Sequence, residues 1–221
     1  MAYIRRILDR LLDSIQPPAV AIFGPPGVGK TTLAMRRASS ALSLDRIYDR
    51  LQLTDDPTLI NTLASPLLLD EWQWWPPAWD LVCQAVGADT EPGRYLLTSS
   101  ATPRGLAPSA APGGIVGLRL RPLTLPEREF ETPSISLQQM LIGDADIAGS
   151  TTRDVYDYAE EIVASGFPGI RELPPEERRE ALDLYIDNII NRQFVEAGYG
   201  VRRHELLRAW LVSYAAAFPA A

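Results

Sequence analysis

The stretch Gly24-Pro25-Pro26-Gly27-Val28-Gly29-Lys30-Thr31 limits what this chain can fold into more than any other. It fits the pattern of a glycine, four residues and then Gly-Lys-Thr, and its surroundings are as restrictive as its spelling. Before it stands "PAVAIFG", a short apolar run bounded by prolines, which reads as a buried strand. After it stands "KTTLAMRRASSAL", a run of good helix formers with Leu33, Ala34 and Ala38 on one face. Strand, glycine-rich loop and helix in that order make a cradle for an anion. Pro25 and Pro26 have no N–H to donate. The donors are therefore the amides from Gly27 through Val28, Gly29, Lys30, Thr31 and Thr32, at the positive end of the helix. Gly24 opens the turn, and Gly27 and Gly29 are free to take positive φ where the backbone must approach a ligand.

Lys30 is the single lysine among 21 basic residues; all the others are arginine. A compact ammonium fits a crowded phosphate site better than a planar guanidinium does, so the exception marks a place where the difference matters. Lys30 is expected at the β- and γ-phosphates of a nucleotide, and the Thr31 hydroxyl at a Mg²⁺ ion.

A metal needs a carboxylate, and a water nucleophile needs an orienting group. "SPLLLDEWQ" supplies both. Leu67, Leu68 and Leu69 read as a buried strand with Asp70 at its carboxyl end, where parallel sheets bind ligands. Asp70 is expected to hold the metal with Thr31, and Glu71 to orient or deprotonate water. A third strand, "GRYLLTSS", ends in Thr98, Ser99 and Ser100. Placed between the other two strands, these hydroxyls face the γ-phosphate. A fourth strand is expected in "GIVGLRLRPL".

Composition narrows the alternatives. With 221 residues, 46% of them hydrophobic, the chain is long enough for one domain and a small second one. One cysteine and one histidine leave no disulfide, no cysteine cluster and no multi-histidine metal site. A net charge of −7 argues against gripping nucleic acid by bulk electrostatics. No apolar run reaches the roughly 18 residues of a membrane span, so no membrane contact and a cytoplasmic setting are expected. "MAYIRRILDRLL" reads as an amphipathic helix with Ile4, Ile7, Leu8, Leu11 and Leu12 on one face. The pairs Arg5–Arg6, Arg36–Arg37 and Arg202–Arg203 read as solvated.

"EWQWWPPAWD" is expected to pack a helix starting near Pro77 onto the sheet through Trp79, Val82, Cys83 and Val86. Residues 102–114 read as a Pro-, Gly- and Ala-rich loop containing Arg104. After about residue 130 three helical patterns follow, the middle one opening with Pro174-Pro175-Glu176-Glu177. The last carries Leu206, Leu207, Trp210, Leu211, Tyr214 and Phe218, an apolar face that either folds back or makes a homo-oligomer.

The motifs "GPPGVGKTT", "LLLDEWQ", "PGRYLLTSSATPR", "LRLRPLTLPERE", "SGFPGIR" and "VRRHELLRAWLVSYAAA" together resemble a group of bacterial and archaeal predicted ATPases of the AAA-like superfamily. The resemblance implies an α/β fold, with a parallel-sheet phosphate-loop ATPase core over residues 1–130. A helical lid and the start of a truncated C-terminal region follow over 131–221. It implies ATP and Mg²⁺ as cofactors, Lys30, Thr31, Asp70 and Glu71 in the core roles above, and Ser99 or Ser100 as the sensor of the γ-phosphate. In that group the chain continues into a nuclease-like C-terminal domain, which makes that domain the place where DNA is expected. Three functions remain open at this point: a slow ATPase acting as switch or motor on a macromolecular partner, a nucleotide-binding module with little turnover, and a small-molecule kinase. Glu71 beside Asp70 favours water over another acceptor.

Overall fold

A computed structural model describes residues 3–88, 91–100, 114–130, 135–143, 148–194 and 200–217. Two compact units are present, Met1–Pro168 and Gly169–Ala221.

The first unit is α/β. Its five strands, β1 (Ala19–Phe23), β2 (Ser40–Ser43), β3 (Leu67–Asp70), β4 (Tyr95–Ser99) and β5 (Ile115–Arg119), form one sheet in the order β2-β3-β4-β1-β5. Every pairing is parallel, with Ala21 opposite both Leu97 and Gly117, and Leu69 opposite Leu97. The three central strands are apolar almost throughout because both faces are covered. Side chains alternate across the sheet. Ala19, Ala21, Phe23, Leu67, Leu69, Tyr95 and Leu97 therefore join one core with Ala78, Trp79, Val82 and Val86 of α5 (Pro77–Ala88). Leu53 of α3 (Ile47–Asp55) and Ile60 of α4 (Leu59–Thr62) complete that layer. Val20, Ile22, Leu68 and Leu96 face the other way, onto Leu33 and Ala34 of α2 (Lys30–Met35) and Leu8 and Leu12 of α1 (Ile7–Ser14). Each large side chain buried in this way contributes about 1.5–3 kcal/mol. Further along the first unit lie α6 (Leu137–Leu141) and α7 (Val155–Ala164). The Asp154 carboxylate caps α7 by accepting from the amides of Tyr156 and Asp157.

Three features differ from the sequence reading. The helix after the glycine loop stops at Met35, and Ser40–Ser43 form an edge strand that the helical pattern concealed. At the amino terminus, Leu8 and Leu12 pack on the core while Ile7 and Leu11 are exposed, so the five apolar positions do not share one buried face. Arg6 is not solvated: it is buried to 4% exposure. The loop holding Arg104 lies outside the described residues.

The single turn α8 (Pro168–Arg171) spans the division between the units. In the second unit, α9 (Pro175–Asn188) opens with a proline and two glutamates in its first turn and runs into a π-helical turn at Ile189–Gln193. The final helix, α10 (His204–Ala217), is tied to α9 by Arg208, whose guanidinium pairs with Asp183 at 2.8 Å and with Asp187. Among the described residues no helix is long and apolar enough to cross a membrane.

Candidate nucleotide-binding site

Parallel strands carry their exits to one edge of the sheet, and the candidate residues follow three adjacent ones. The glycine loop leaves β1, Asp70 and Glu71 end β3, and Ser99 and Ser100 end β4, which lies between the other two. Gly24 is required by space: a Cβ there would stand 2.3 Å from the Leu120 carbonyl oxygen. Gly27 and Gly29 are required by conformation, with φ of 73° and 97°.

Lys30 opens α2 with its side chain turned inward, 3% exposed. Its Nζ donates to the Pro25 carbonyl at 3.2 Å and to Ser100 Oγ at 2.9 Å, and stands 3.6 Å from Glu71 Oε1. Burial pulls the Lys30 ammonium below its usual pKa, against the opposing pull of the Glu71 and Asp70 carboxylates. Thr31 Oγ1 donates to Asp70 Oδ1 at 2.8 Å. Thr98 Oγ1 donates to the same carboxylate oxygen at 2.5 Å and accepts from the Glu71 amide at 3.0 Å. Ser100 Oγ donates to Glu71 Oε1 at 2.7 Å, and the Gln73 side-chain amide donates to Glu71 Oε2. Glu71 itself sits at φ 51°, a left-handed conformation that non-glycine residues adopt only where their surroundings fix it.

Lys30, Thr31, Asp70, Glu71 and Ser100 thus form one connected cluster. Ser99 is buried at the end of β4, where its carbonyl accepts from the Gly24 amide at 3.3 Å. Strand alternation explains the division: Thr98 and Ser100 share the face that α2 covers, and Ser99 belongs to the other. Thr98, which the sequence groups with the two serines as a hydroxyl facing the γ-phosphate, bridges the Asp70 carboxylate and the Glu71 backbone.

The donor set suits a hard, oxygen-seeking cation. One hydroxyl and one carboxylate, 2.8 Å apart, are what the chain offers Mg²⁺, which takes few protein oxygens and completes its shell with water and phosphate. Among the described residues no three His, Cys, Asp or Glu side chains converge to hold a metal by themselves.

Beside the loop lies a cavity of about 180 Å³ lined by Tyr3, Ile4, Val28, Gly29, Thr32 and Leu123, among others. The tryptophans near Glu71 are mostly structural. Trp72 is buried with its ring 5.0 Å from that of Trp79, and Trp75 packs on the same core. Cys83 packs there too, with its thiol pKa raised by burial.

Sequence reasoning missed Arg6, which contacts the glycine loop, and Glu127, which pairs with Arg6. Arg6 Nη1 donates to the Val28 carbonyl at 2.9 Å, and Arg6 Nε pairs with Glu127 at 3.0 Å. An arginine in an amphipathic amino-terminal segment gives no signal that separates it from its solvated neighbour Arg5. No family model matches this chain, and no curated protein matches it either.

Proposed function

We propose that this chain binds Mg-ATP at the loop Gly24–Thr31 and hydrolyses it slowly, as a phosphate-loop ATPase of the AAA-like kind. The observation that carries the reading is the setting of Lys30. The only lysine of the chain is buried at the carboxyl edge of a parallel sheet, next to Thr31–Asp70 and within reach of Glu71 and Ser100.

In this reading the amides from Gly27 to Thr32 receive the phosphates, and Lys30 exchanges its bonds to Pro25 and Ser100 for the β- and γ-phosphate oxygens. Thr31 and Asp70 would hold Mg²⁺, which would supply charge neutralisation at the phosphates. The cavity beside Gly29 and Thr32 takes the base. Glu71 orients the attacking water, and Ser100, bonded to both Lys30 and Glu71, reports the γ-phosphate to the carboxylate.

A second reading, a nucleotide-binding module with little turnover, is favoured by one observation. Both Glu71 carboxylate oxygens already accept hydrogen bonds, from Ser100 and from Gln73. Hydrogen bonds to the charged form of a carboxylate make it a weaker base, which disfavours proton transfer from water.

Turnover of Mg-ATP by wild type and Glu71→Gln, each with and without DNA, tests the proposal. The expected result is slow hydrolysis by wild type and a further drop of about 100-fold or more in Glu71→Gln, with ATP affinity kept. Equal turnover in the two proteins removes Glu71 from the chemistry. No turnover in either, with ATP bound by both, selects the binding module.

A further inference from the structure

We propose that the buried ion pair of Arg6 and Glu127 is a positioning device for the glycine loop, setting the Val28–Gly29 peptide so that its amide is presented to a β-phosphate. The proposal rests on the nucleotide-binding reading above and adds to it two residues with no other assigned role.

The pair is sealed from solvent, with side chains 4% and 5% exposed. Its acceptors and donors are used on every side. Arg6 donates to Glu127 through Nε at 3.0 Å, to the Val28 carbonyl through Nη1 at 2.9 Å, and to the Arg121 carbonyl through Nη2 at 2.6 Å. Glu127 accepts from the Ile7 amide at 2.7 Å, from the Thr124 amide at 2.8 Å and from Thr124 Oγ1 at 3.0 Å. Three segments far apart in sequence therefore meet at one guanidinium: the start of α1, the glycine loop and the stretch after β5.

The consequence for the loop is geometric. In a trans peptide the carbonyl and the following N–H point in opposite directions. A Val28 carbonyl held toward Arg6 turns the Gly29 N–H away from Arg6, into the hollow of the loop. Gly29 sits at φ 97°, and a Cβ built there would lie 3.9 Å from Arg6 Nη1. Glu127 has a second effect: it neutralises Arg6, whose Nε, Nη1 and Nη2 each already donate within the protein. A buried ion pair of this kind adds little net stability compared with apolar packing of the same volume. What it supplies in its place is a fixed direction for the Val28 carbonyl, which an apolar side chain cannot set.

Arg6→Lys keeps the charge but cannot reach Glu127, Val28 and Arg121 at once; Glu127→Gln keeps the shape and frees the guanidinium. Two measurements on the full chain decide the matter. In the nucleotide-free protein, amide hydrogen exchange gives the rate for residues 27–31 relative to the strands. That ratio is expected to rise about tenfold in Arg6→Lys and in Glu127→Gln. By calorimetry, Mg-ADP affinity is expected to fall about tenfold in both variants, while in Glu127→Gln, whose side chain does not line the cavity beside the loop, AMP affinity changes less than about twofold because only ADP carries the β-phosphate. A loop-to-strand exchange ratio at the wild-type value overturns the proposal, as does an equal loss of ADP and AMP affinity in Glu127→Gln. If one variant does not fold, the other decides. A wild type that binds neither nucleotide defeats the nucleotide reading, and the exchange ratio still decides whether Arg6 and Glu127 hold the loop.

Discussion

In the unit Met1–Pro168, three central strands present apolar side chains to helices on both faces, and Leu67, Leu68, Leu69 and Leu97 have at most 1% of their surface in solvent. In the unit Gly169–Ala221, Ile190 is the one buried apolar side chain among the described residues, while Leu184, Leu206, Trp210, Val212 and Tyr214 are each more than half exposed. The first unit is held by a core; the second joins α9 to α10 through the ion pairs of Arg208. Short helices without a buried face are marginal in water, so the two units are expected to open at very different free energies. The rigid part is the one that carries the glycine loop, Asp70 and Ser100, which suits a site whose geometry must be kept.

The largest break in this comparison comes from the sheet. Leu97→Ala removes a fully buried side chain from the strand between β3 and β1 and is expected to cost about 2–5 kcal/mol in denaturant unfolding. A cost below about 1 kcal/mol would show that the core is not where the stability lies.

A smaller effect comes from acid. Burial alone would raise the Glu127 carboxyl, but the amides of Thr124 and Ile7 and the Arg6 guanidinium outweigh it and hold the carboxyl below its ordinary value of 4.5. Its contribution is therefore complete above pH 4.5 and is lost as pH falls through the lower folded value. Glu127→Gln is expected to cost up to about 3 kcal/mol at neutral pH. Melting curves of variant and wild type are expected to converge as pH falls below 4.5; a gap that persists unchanged into acid contradicts the assignment.

The smallest effect belongs to the second unit. The Trp210 ring stacks on Tyr214 with centroids 5.5 Å apart and is 58% exposed. Trp210→Glu is expected to change stability by less than about 1 kcal/mol. A larger loss, or a fall in mass by analytical ultracentrifugation, shows that this face is covered in solution and erases the contrast between the units.

The contrast also explains what the sequence made legible. Short continuous apolar runs mark "AVAIF", "LLLD" and "YLLTS" as strands covered on both faces, and all three stand where those runs put them. The edge strand Ser40–Ser43 was hidden because four residues with two serines carry almost no alternation and continue a helical run. The positions of Lys30, Thr31, Asp70 and Ser100 are legible because strand ends fix them. Arg6 and Glu127 are not, because their contact joins residues 121 positions apart and nothing local distinguishes a buried arginine from an exposed one. The split between Thr98 and Ser99 follows from alternation alone once α2 is placed on one face of the sheet.

The most direct test of the central claim is calorimetric titration of wild type and Lys30→Ala with ATP, in Mg²⁺ and in EDTA. Lys30 is the only lysine the chain can bring to the phosphates, and Lys30→Ala removes it without altering the Thr31 and Asp70 side chains themselves. The account predicts Mg-dependent binding by wild type and a loss of affinity of at least about 100-fold in a variant that keeps the wild-type melting profile. Equal affinity in the two proteins, or no binding by wild type, contradicts it.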